Sequence, residues 1–275
     1  MLTKLLSGIM LAIFCMIPLI SGAQDIEDAL VLYLPINEGN GDEVKDLGPF
    51  GFETEMSEPP PQWVKVNDNP LLSTALEFDG TGNFVKIDMA GQGHDLDSHI
   101  DEEKGVSICA WVKVLEVGTD AAAQTRQPAV MKGNSGAWEF ALYVHDDFGA
   151  GMSVWDCGGT GVSEPSAAGK LPRGEWHYVC GTFNAADGVA VYVDADKNPV
   201  VQQAPNANVP CDGNRPVFLA HREDGQWLNA VIAEVRIWER VIDAEEIELA
   251  MKSIGGLSVH PAGSLTTAWG KIKVQ

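Results

Sequence analysis

The chain contains 275 residues, of which 45% are hydrophobic and 21% charged, and these proportions exclude a wholly disordered chain and a multispanning membrane protein. Its 39 acidic residues outnumber its 18 lysines and arginines, giving a formal net charge of −21 at pH 7. Such a charge repels phosphate backbones and argues against nucleic-acid binding. The 29 glycines and 15 prolines favour a protein with many turns.

The first 23 residues have the parts of a secretory signal peptide. Lys4 gives a short positive region, residues 5–20 are apolar, and Ser21 and Ala23 supply the small residues that precede a cleavage site. A glycine and a proline interrupt the apolar stretch, which is shorter than the roughly 20 residues that a spanning helix needs. We therefore expect cleavage after Ala23, export to the periplasm or the extracellular space, and no membrane span.

Short runs rich in β-branched and aromatic residues, each bounded by glycine or polar turns, predict strands along most of the remaining chain. In chain order they are 29–36, 75–79, 83–88, 106–114, 129–132, 138–145, 151–155, 176–183, 189–193, 217–220 and 231–238. Residues 55–61 (EMSEPPP) are predicted to be a loop outside any sheet, because proline cannot donate to a strand ladder. Within 106–114 both alternating faces carry sizeable side chains, which is typical of a central strand.

One segment has helical spacing. Residues 243–251 begin at a potential N-cap, Asp243, and place Ile247 and Met251 on one face. Many short strands, one late helix and no βαβ alternation predict an all-β fold, an antiparallel β-sandwich (jelly roll) with one short C-terminal helix. No repeat or long linker divides the chain, so we expect a single domain over residues 29–251. Residues 252–275 form a tail that could add a strand.

Four cysteines remain after cleavage of the signal peptide: Cys109, Cys157, Cys180 and Cys211. An even number in an oxidising compartment predicts two disulfides, with three possible connectivities. A metal site is the weaker interpretation, since no two of these cysteines form a CxxC pair. A cysteine nucleophile is also disfavoured, because it requires a free thiol.

Four sequence blocks follow one another along the chain. They are ALEFDGTGNFVKI at 75–87, VSICAWV at 106–112, GEWHYVCGT at 174–182 with VYVD at 191–194, and IAEVRIW at 232–238 with IDAEEI at 242–247. In this order they resemble the LamG-like jelly-roll domains of the concanavalin A-like lectin/glucanase superfamily, to which laminin G domains and pentraxins belong. Each block alone is a weak signal, whereas the ordered set is fairly specific. The resemblance implies the same two-sheet fold.

The resemblance also implies how the cysteines pair. Pentraxins bridge a cysteine in the strand of the second block to one in the strand of the third, and Cys109 and Cys180 fall at the matching places. This implies a Cys109–Cys180 disulfide and leaves Cys157 to pair with Cys211.

A structural calcium ion is the one cofactor that the resemblance implies. Jelly-roll domains of this kind often hold calcium through oxygens from the first and last strands and the loops beside them. The matching candidates in this chain are Glu38, Asp46, Asp79 and Glu234, although Ala233 stands where the family often has an aspartate. The loop 222–225 (REDG), near the place where pentraxins carry acidic calcium ligands, is a second possibility.

Catalytic motifs are missing from the sequence. Glucanases of this superfamily carry their carboxylates on one strand as ExDxE or ExDxxE, so that one acts as nucleophile and one as acid. No such run occurs here, and neither do HExxH, GxSxG or GxxxxGK[ST]. We therefore expect a protein that is not an enzyme and has no catalytic residues.

Sugar-binding modules stack pyranose rings on exposed aromatic side chains and bind hydroxyls through amides and carboxylates. Trp227, in the sequence DGQWLN, is the first candidate with Asn229 beside it, and Trp155 is the second. Either tryptophan could instead pack inside a loop.

The predicted function is a secreted, non-catalytic module that recognises a glycan or an extracellular protein. The alternatives are a structural or adhesive surface component and, less favoured, a glycan-cleaving enzyme with an unrecognised site.

Overall fold

The computed structural model describes residues 26–89, 92, 94, 96, 104–117, 126–134 and 137–254. The predicted signal peptide and residues 255–275 of the predicted tail lie outside these residues. Within the described part of the chain, no helix combines the length and the hydropathy that crossing a bilayer requires.

Eighteen strands and one helix form the described structure. In chain order they are β1 (Leu30–Leu34), β2 (Thr54–Met56), β3 (Gln62–Lys65), β4 (Thr74–Asp79), β5 (Val85–Ile87), β6 (Val106–Glu116), β7 (Arg126–Asn134), β8 (Ala137–His145), β9 (Ala150–Trp155), β10 (Gly161–Ser163), β11 (Ser166–Ala167), β12 (Trp176–Asn184), β13 (Gly188–Val193), β14 (Val201–Gln203), β15 (Val217–Leu219), β16 (His221–Arg222), β17 (Gln226–Trp227), β18 (Asn229–Trp238) and α1 (Ala244–Lys252).

The strands build two large antiparallel sheets, and the sandwich predicted from the sequence is confirmed. The first sheet runs β14-β13-β12-β6-β18-β4-β3, with β1 also paired to β18. The second runs β10-β9-β8-β7-β15-β5-β2, with β11 also paired to β9. The short β16–β17 ladder is separate from both. Strand β18 lies between β6 and β4. Its first residue, Asn229, pairs with the last residue of each, Glu116 and Asp79, at one end of the first sheet.

The main core fills the space between the two sheets, and strand β6 shows how the sequence dictates it. Val106, Ile108 and Ala110 belong to the inter-sheet cluster. The alternate residues Cys109 and Trp111 belong to a second buried cluster on the outer face of the first sheet. Because successive side chains of a strand point to opposite faces, a strand apolar on both faces must be covered on both. The predicted central strand is thus confirmed.

Helix α1 covers part of that outer face. It begins after the N-cap Asp243, whose carboxylate accepts hydrogen bonds from the backbone N–H groups of Glu245 and Glu246, while the Glu246 side chain returns a capping-box contact. Such a capping box satisfies backbone donors that a helix N-terminus leaves free. Ile247 and Ala250 are the buried residues of the helix and join the outer cluster.

Both predicted disulfides are present. Cys109 and Cys180 are directly opposite each other on β6 and β12, with Cα atoms 4.1 Å apart. Cys157 and Cys211 join the loop after β9 to the segment before β15, with Cα atoms 4.4 Å apart. The first bridge therefore lies within the first sheet, and the second links two loops beside the second sheet.

One loop prediction is wrong at its beginning. Thr54–Met56 is strand β2, paired with β5, so Glu55 and Met56 do enter a sheet. Pro59 and the two prolines after it follow the end of that strand, so they do not prevent the residues before them from joining the sheet. Sequence reasoning also missed short strands of two to four residues, among them β3 and the β16–β17 pair.

Candidate functional site

The β16–β17 hairpin fixes the position of Trp227. His221 lies opposite Trp227 and Arg222 opposite Gln226 in its two-residue ladder. Gly225 closes the turn with a φ of +91°, and its N–H donates to the carbonyl of Arg222 at 3.0 Å. Glycine adopts this left-handed conformation without strain. The sequence singled out Trp227 as a candidate ligand contact; the structure places it on a short strand beside the turn at Gly225.

Two aromatic rings of the hairpin, His221 and Trp227, cluster with Phe84, and the Phe84 and Trp227 centroids are 6.3 Å apart. The Trp227 and His221 ring centroids are 4.1 Å apart with an interplanar angle of 23°, and those of His221 and Phe84 are 5.0 Å apart at 22°. His221 therefore lies against one face of the half-buried indole. A ligand ring that stacks on Trp227 must use the face directed away from His221.

Burial lowers the pKa of His221 to about 4, because the low-dielectric surroundings disfavour the imidazolium, and nearby Asp224 opposes this shift only weakly. The imidazole is therefore neutral at pH 7. The three rings carry no charge there, and the buried Nδ1 of His221 has no hydrogen-bond partner among the described residues.

A cavity of about 240 Å³ opens beside the indole, and we call it the Trp227 pocket. Its walls come from the ends of β4, β6 and β18 in the first sheet, the start of β7 in the second sheet and the β16–β17 hairpin. The lining residues are Asp79, Gly80, Thr81, Glu116, Val117, Gln127, Gly225, Gln226, Trp227 and Asn229. The cavity is smaller than the roughly 300–1,000 Å³ of sites for drug-sized ligands, so it suits one ring rather than a long ligand.

Three polar side chains stand in a row across one end of the first sheet. Asn229, the first residue of β18, pairs with Asp79 on one side and with Glu116 on the other. Burial raises the pKa of Asp79, but hydrogen bonds, chiefly from the backbone and hydroxyl of Thr81, outweigh this and lower it below its ordinary value. Asp79 is therefore ionised at neutral pH.

Two buried carboxamides in the Trp227 pocket have polar atoms without a protein partner. Gln127 is 3% exposed and its Nε2 donor makes no hydrogen bond. Gln226 is 2% exposed and its Oε1 acceptor makes none, although its Nε2 lies 3.3 Å from Asp224 Oδ2. Buried polar groups are nearly always hydrogen-bonded, so an unpartnered donor and acceptor in one cavity need an explanation. Each of the two atoms has less than 1 Å² of accessible surface, so a ligand hydroxyl or amide reaches it only after the carboxamide turns towards the cavity.

The structure brings together three of the residues singled out from the sequence: Trp227 and Asn229, considered for ligand contacts, and Asp79, considered for calcium. Trp155 lies elsewhere. It is 6% exposed, and its ring centroid lies 6.5 Å from that of Trp138. It lines a second cavity together with Arg126, Trp138, Gly159, Glu164 and Arg222.

The other calcium candidates are engaged in hydrogen bonds within the protein. Asp46 accepts three backbone N–H groups, those of Tyr33 and Gly48 on Oδ1 and that of Phe52 on Oδ2, at 2.8 to 2.9 Å. Glu38 Oε1 accepts the N–H of Lys45 at 2.8 Å. These bonds explain how the segment after β1 is held. The other carboxylate oxygen of Glu38, Oε2, is buried and has no hydrogen-bond partner among the described residues.

Glu234 forms a buried ion pair. Its Oε2 accepts from Arg236 Nη2 at 3.1 Å and from the Tyr33 hydroxyl at 2.9 Å. Burial, reinforced by Glu234 and opposed by Arg236, raises the pKa of Tyr33 to about 12. Arg236 also donates to the carbonyls of Ala250 and Ser253, and so fixes the C-terminal end of α1. The structure gives Glu234 a role in attaching the helix.

In the loop 222–225, the Arg222 guanidinium binds both oxygens of Asp224, with Nε 2.7 Å from Oδ1. Among the described residues, the side chains grouped closely enough to share a metal ion are those of His145, Asp146 and Asp147, at the β8–β9 turn. None of these three was a candidate from the sequence. Calcium binding stays a prediction.

Sequence reasoning missed Gln127, Gln226, Glu116 and the ring of His221. Gln226 adjoins Trp227 in the sequence, so it could have been considered for the same site. Nothing in the sequence indicates Gln127 or Glu116, because only the packing of the two sheets brings them to the same cavity.

Comparison with known families agrees with this architecture. The model of a family described as the concanavalin A-like lectin/glucanases superfamily (Laminin_G_3) matches residues 79–248. The matched segment contains most of the sandwich and the complete Trp227 pocket. The chain belongs to this superfamily. A search of curated proteins finds no match.

Solved structures with the same fold include binding domains of toxins. The binding domain of Paraclostridial Mosquitocidal Protein 1 superposes with a TM-score of 0.60 at 14% identity, over 82% of this chain and 52% of that one. The receptor binding domain of botulinum neurotoxin D gives 0.56 at 10% identity, with 82% and 52% covered. A structure of botulinum neurotoxin type C, whose cell entry is dependent upon interaction with two ganglioside molecules, gives 0.59 at 10%, with 83% and 52% covered. This chain spans about half the length of those structures, and at such identities the likeness shows the fold alone.

Proposed function

We propose that this chain is an exported, non-catalytic module that binds a glycan in the Trp227 pocket. The observation that carries the proposal is the combination of a half-buried indole with two buried carboxamides, Gln127 and Gln226, whose Nε2 and Oε1 atoms lack protein partners. A pyranose offers a carbon–hydrogen face for the indole and hydroxyls that both donate and accept. One sugar ring would meet all three requirements once the two carboxamides, whose unpartnered atoms are buried, turn towards it.

Membership of a superfamily that includes lectins supports the proposal, and so do the binding domains among the similar structures. Export is supported by the signal-peptide pattern of residues 1–23 and by the two disulfides, which persist in oxidising compartments. Either a glycan or an extracellular protein would suit such a module. The small cavity and the unpartnered carboxamides favour the glycan.

The proposal is tested by glycan-array binding of the oxidised mature protein, followed by calorimetric titration of the best ligand. Trp227→Ala should weaken that binding at least tenfold, which corresponds to about 1.4 kcal/mol and to the loss of one stacking contact. Trp63→Ala is the matched control. Trp63 is half-buried on the first sheet, and its indole N–H donates to the Gly41 carbonyl at 2.8 Å, away from the Trp227 pocket. Equal binding by wild type and Trp227→Ala would reject the pocket, and sugar release from a bound glycan would reject the non-catalytic assignment.

A further inference from the structure

The charge of the Trp227 pocket restricts the kind of saccharide that it can take. Two of its lining residues, Asp79 and Glu116, are acidic, and its described lining residues include no lysine or arginine. They flank Asn229 on the two neighbouring strands, so both carboxylates stand at the same end of the first sheet. A ligand seated against Asn229 therefore lies between two acidic residues.

The arginines of the neighbouring segments are each paired with a carboxylate. Arg173 pairs with Glu116 at 3.0 Å, but both side chains are more than half exposed, and an ion pair so open to solvent contributes little. Arg126 and Arg222 line the other cavity, where each contacts a carboxylate, Arg126 that of Glu164 and Arg222 that of Asp224. Arg222 also lies directly opposite Gln226 in the hairpin ladder, but its charge is paired with Asp224. The protein as a whole carries a formal net charge of −21.

We infer that the Trp227 pocket selects an uncharged saccharide and rejects sialylated, sulfated or otherwise anionic ones. The inference rests on the proposed function, since it names the ligand class of that same site. Asp79 and Glu116 are both exposed, so solvent screens their charge, but two carboxylates still disfavour a carboxylate or sulfate held next to them relative to a neutral group. The unpartnered donor of Gln127 and acceptor of Gln226 need only neutral partners, which hydroxyl or acetamido groups supply.

The test compares matched glycans on an array and in solution: N-acetyllactosamine, its sialylated form and its 6-sulfated form, with chitotriose and cellotriose as further neutral probes. Bound glycans should be neutral, and any neutral probe that binds should bind at least tenfold more tightly than an anionic counterpart. In the double variant Asp79→Asn/Glu116→Gln, the ratio of neutral to anionic affinity should fall about tenfold. Asparagine keeps an Oδ1 acceptor for the Thr81 N–H, which lies 2.8 Å from Asp79 Oδ1 in the wild type.

Preferred binding of anionic glycans that Trp227→Ala abolishes would overturn this inference while leaving the proposed function in place. A ratio that the double variant does not change would overturn it as well, because the two carboxylates would then play no part in selection. If no glycan on the array binds, or if binding does not depend on Trp227, the proposed function fails and the inference fails with it.

Discussion

Replacing Gln127 by methionine should stabilise the free protein and weaken ligand binding at least tenfold. Gln127 is 3% exposed, with an Nε2 donor that has no partner, and leaving a buried donor unsatisfied costs about 1–3 kcal/mol. Its cross-strand partner on β8 is Val144, a member of the inter-sheet core, so an apolar chain of similar length has suitable neighbours. Methionine is flexible and close to glutamine in size, which limits any packing penalty.

We expect Gln127→Met to raise the free energy of unfolding by about 1 kcal/mol, equivalent to roughly 2–4 °C in the midpoint for a domain of this size. Urea unfolding of the oxidised protein at pH 7 measures the free energy, and calorimetric titration of the best array glycan measures a loss of affinity of at least tenfold. Gln203→Met, on the exposed edge strand β14, is the matched control and should change stability by less than about 0.5 kcal/mol. A destabilisation of more than 1 kcal/mol would refute the reasoning, since the Gln127 amide would then have a structural partner in the free protein.

Four further outcomes are expected. The pKa of His221 is about 4 in the folded state and about 6.5 in the unfolded state, so the unfolded state takes up the proton first as pH falls. The free energy of unfolding should therefore fall between pH 6.5 and pH 4, by up to about 3 kcal/mol more in the wild type than in His221→Phe. Urea unfolding across that pH range measures this difference. The variant with Cys157 and Cys211 both replaced by alanine should lose about 4 kcal/mol, because the bridge spans 54 residues of chain; an unchanged urea midpoint would contradict this. Asp46→Ala should lower the thermal midpoint and cost about 3 kcal/mol, since three backbone amides lose their acceptor, and a loss below 1 kcal/mol would show that water replaces the carboxylate. If the protein holds a structural calcium ion, EDTA should lower the thermal unfolding midpoint, and calcium but not magnesium should restore it. A midpoint that EDTA leaves unchanged would contradict calcium binding.

The parts of the fold that sequence reasoning found are those that local rules determine. Period-two alternation over 106–114 gave a strand covered on both faces, and the capping pattern at Asp243 gave the start of α1. The disulfides came from the family resemblance, which supplied the long-range pairing of Cys109 with Cys180 that alternation cannot give.

The parts that it missed depend on contacts between distant elements. Lys132 and Glu139 are fully buried, and Lys132 Nζ lies 2.7 and 2.6 Å from the two carboxylate oxygens of Glu139. Their ladder shifts register after Lys132, and alternation alone therefore would not predict where the Glu139 side chain lies. The same limit applies to the Trp227 pocket. Its tryptophan and asparagine could be singled out from the sequence, but the juxtaposition with Gln127 follows only from how the two sheets meet.

A glycan in the Trp227 pocket should hydrogen-bond the unpartnered carboxamide atoms of Gln127 and Gln226. The most direct measurement is a nuclear magnetic resonance titration that follows the side-chain amide signals of Gln127 and Gln226 and the indole N–H of Trp227. We predict that all three signals shift along one saturation curve, while the side-chain amide of Asn206, which donates to the Gly161 carbonyl, stays in place. Saturable glycan binding that leaves these three signals unmoved would contradict the account and place the site elsewhere on the protein.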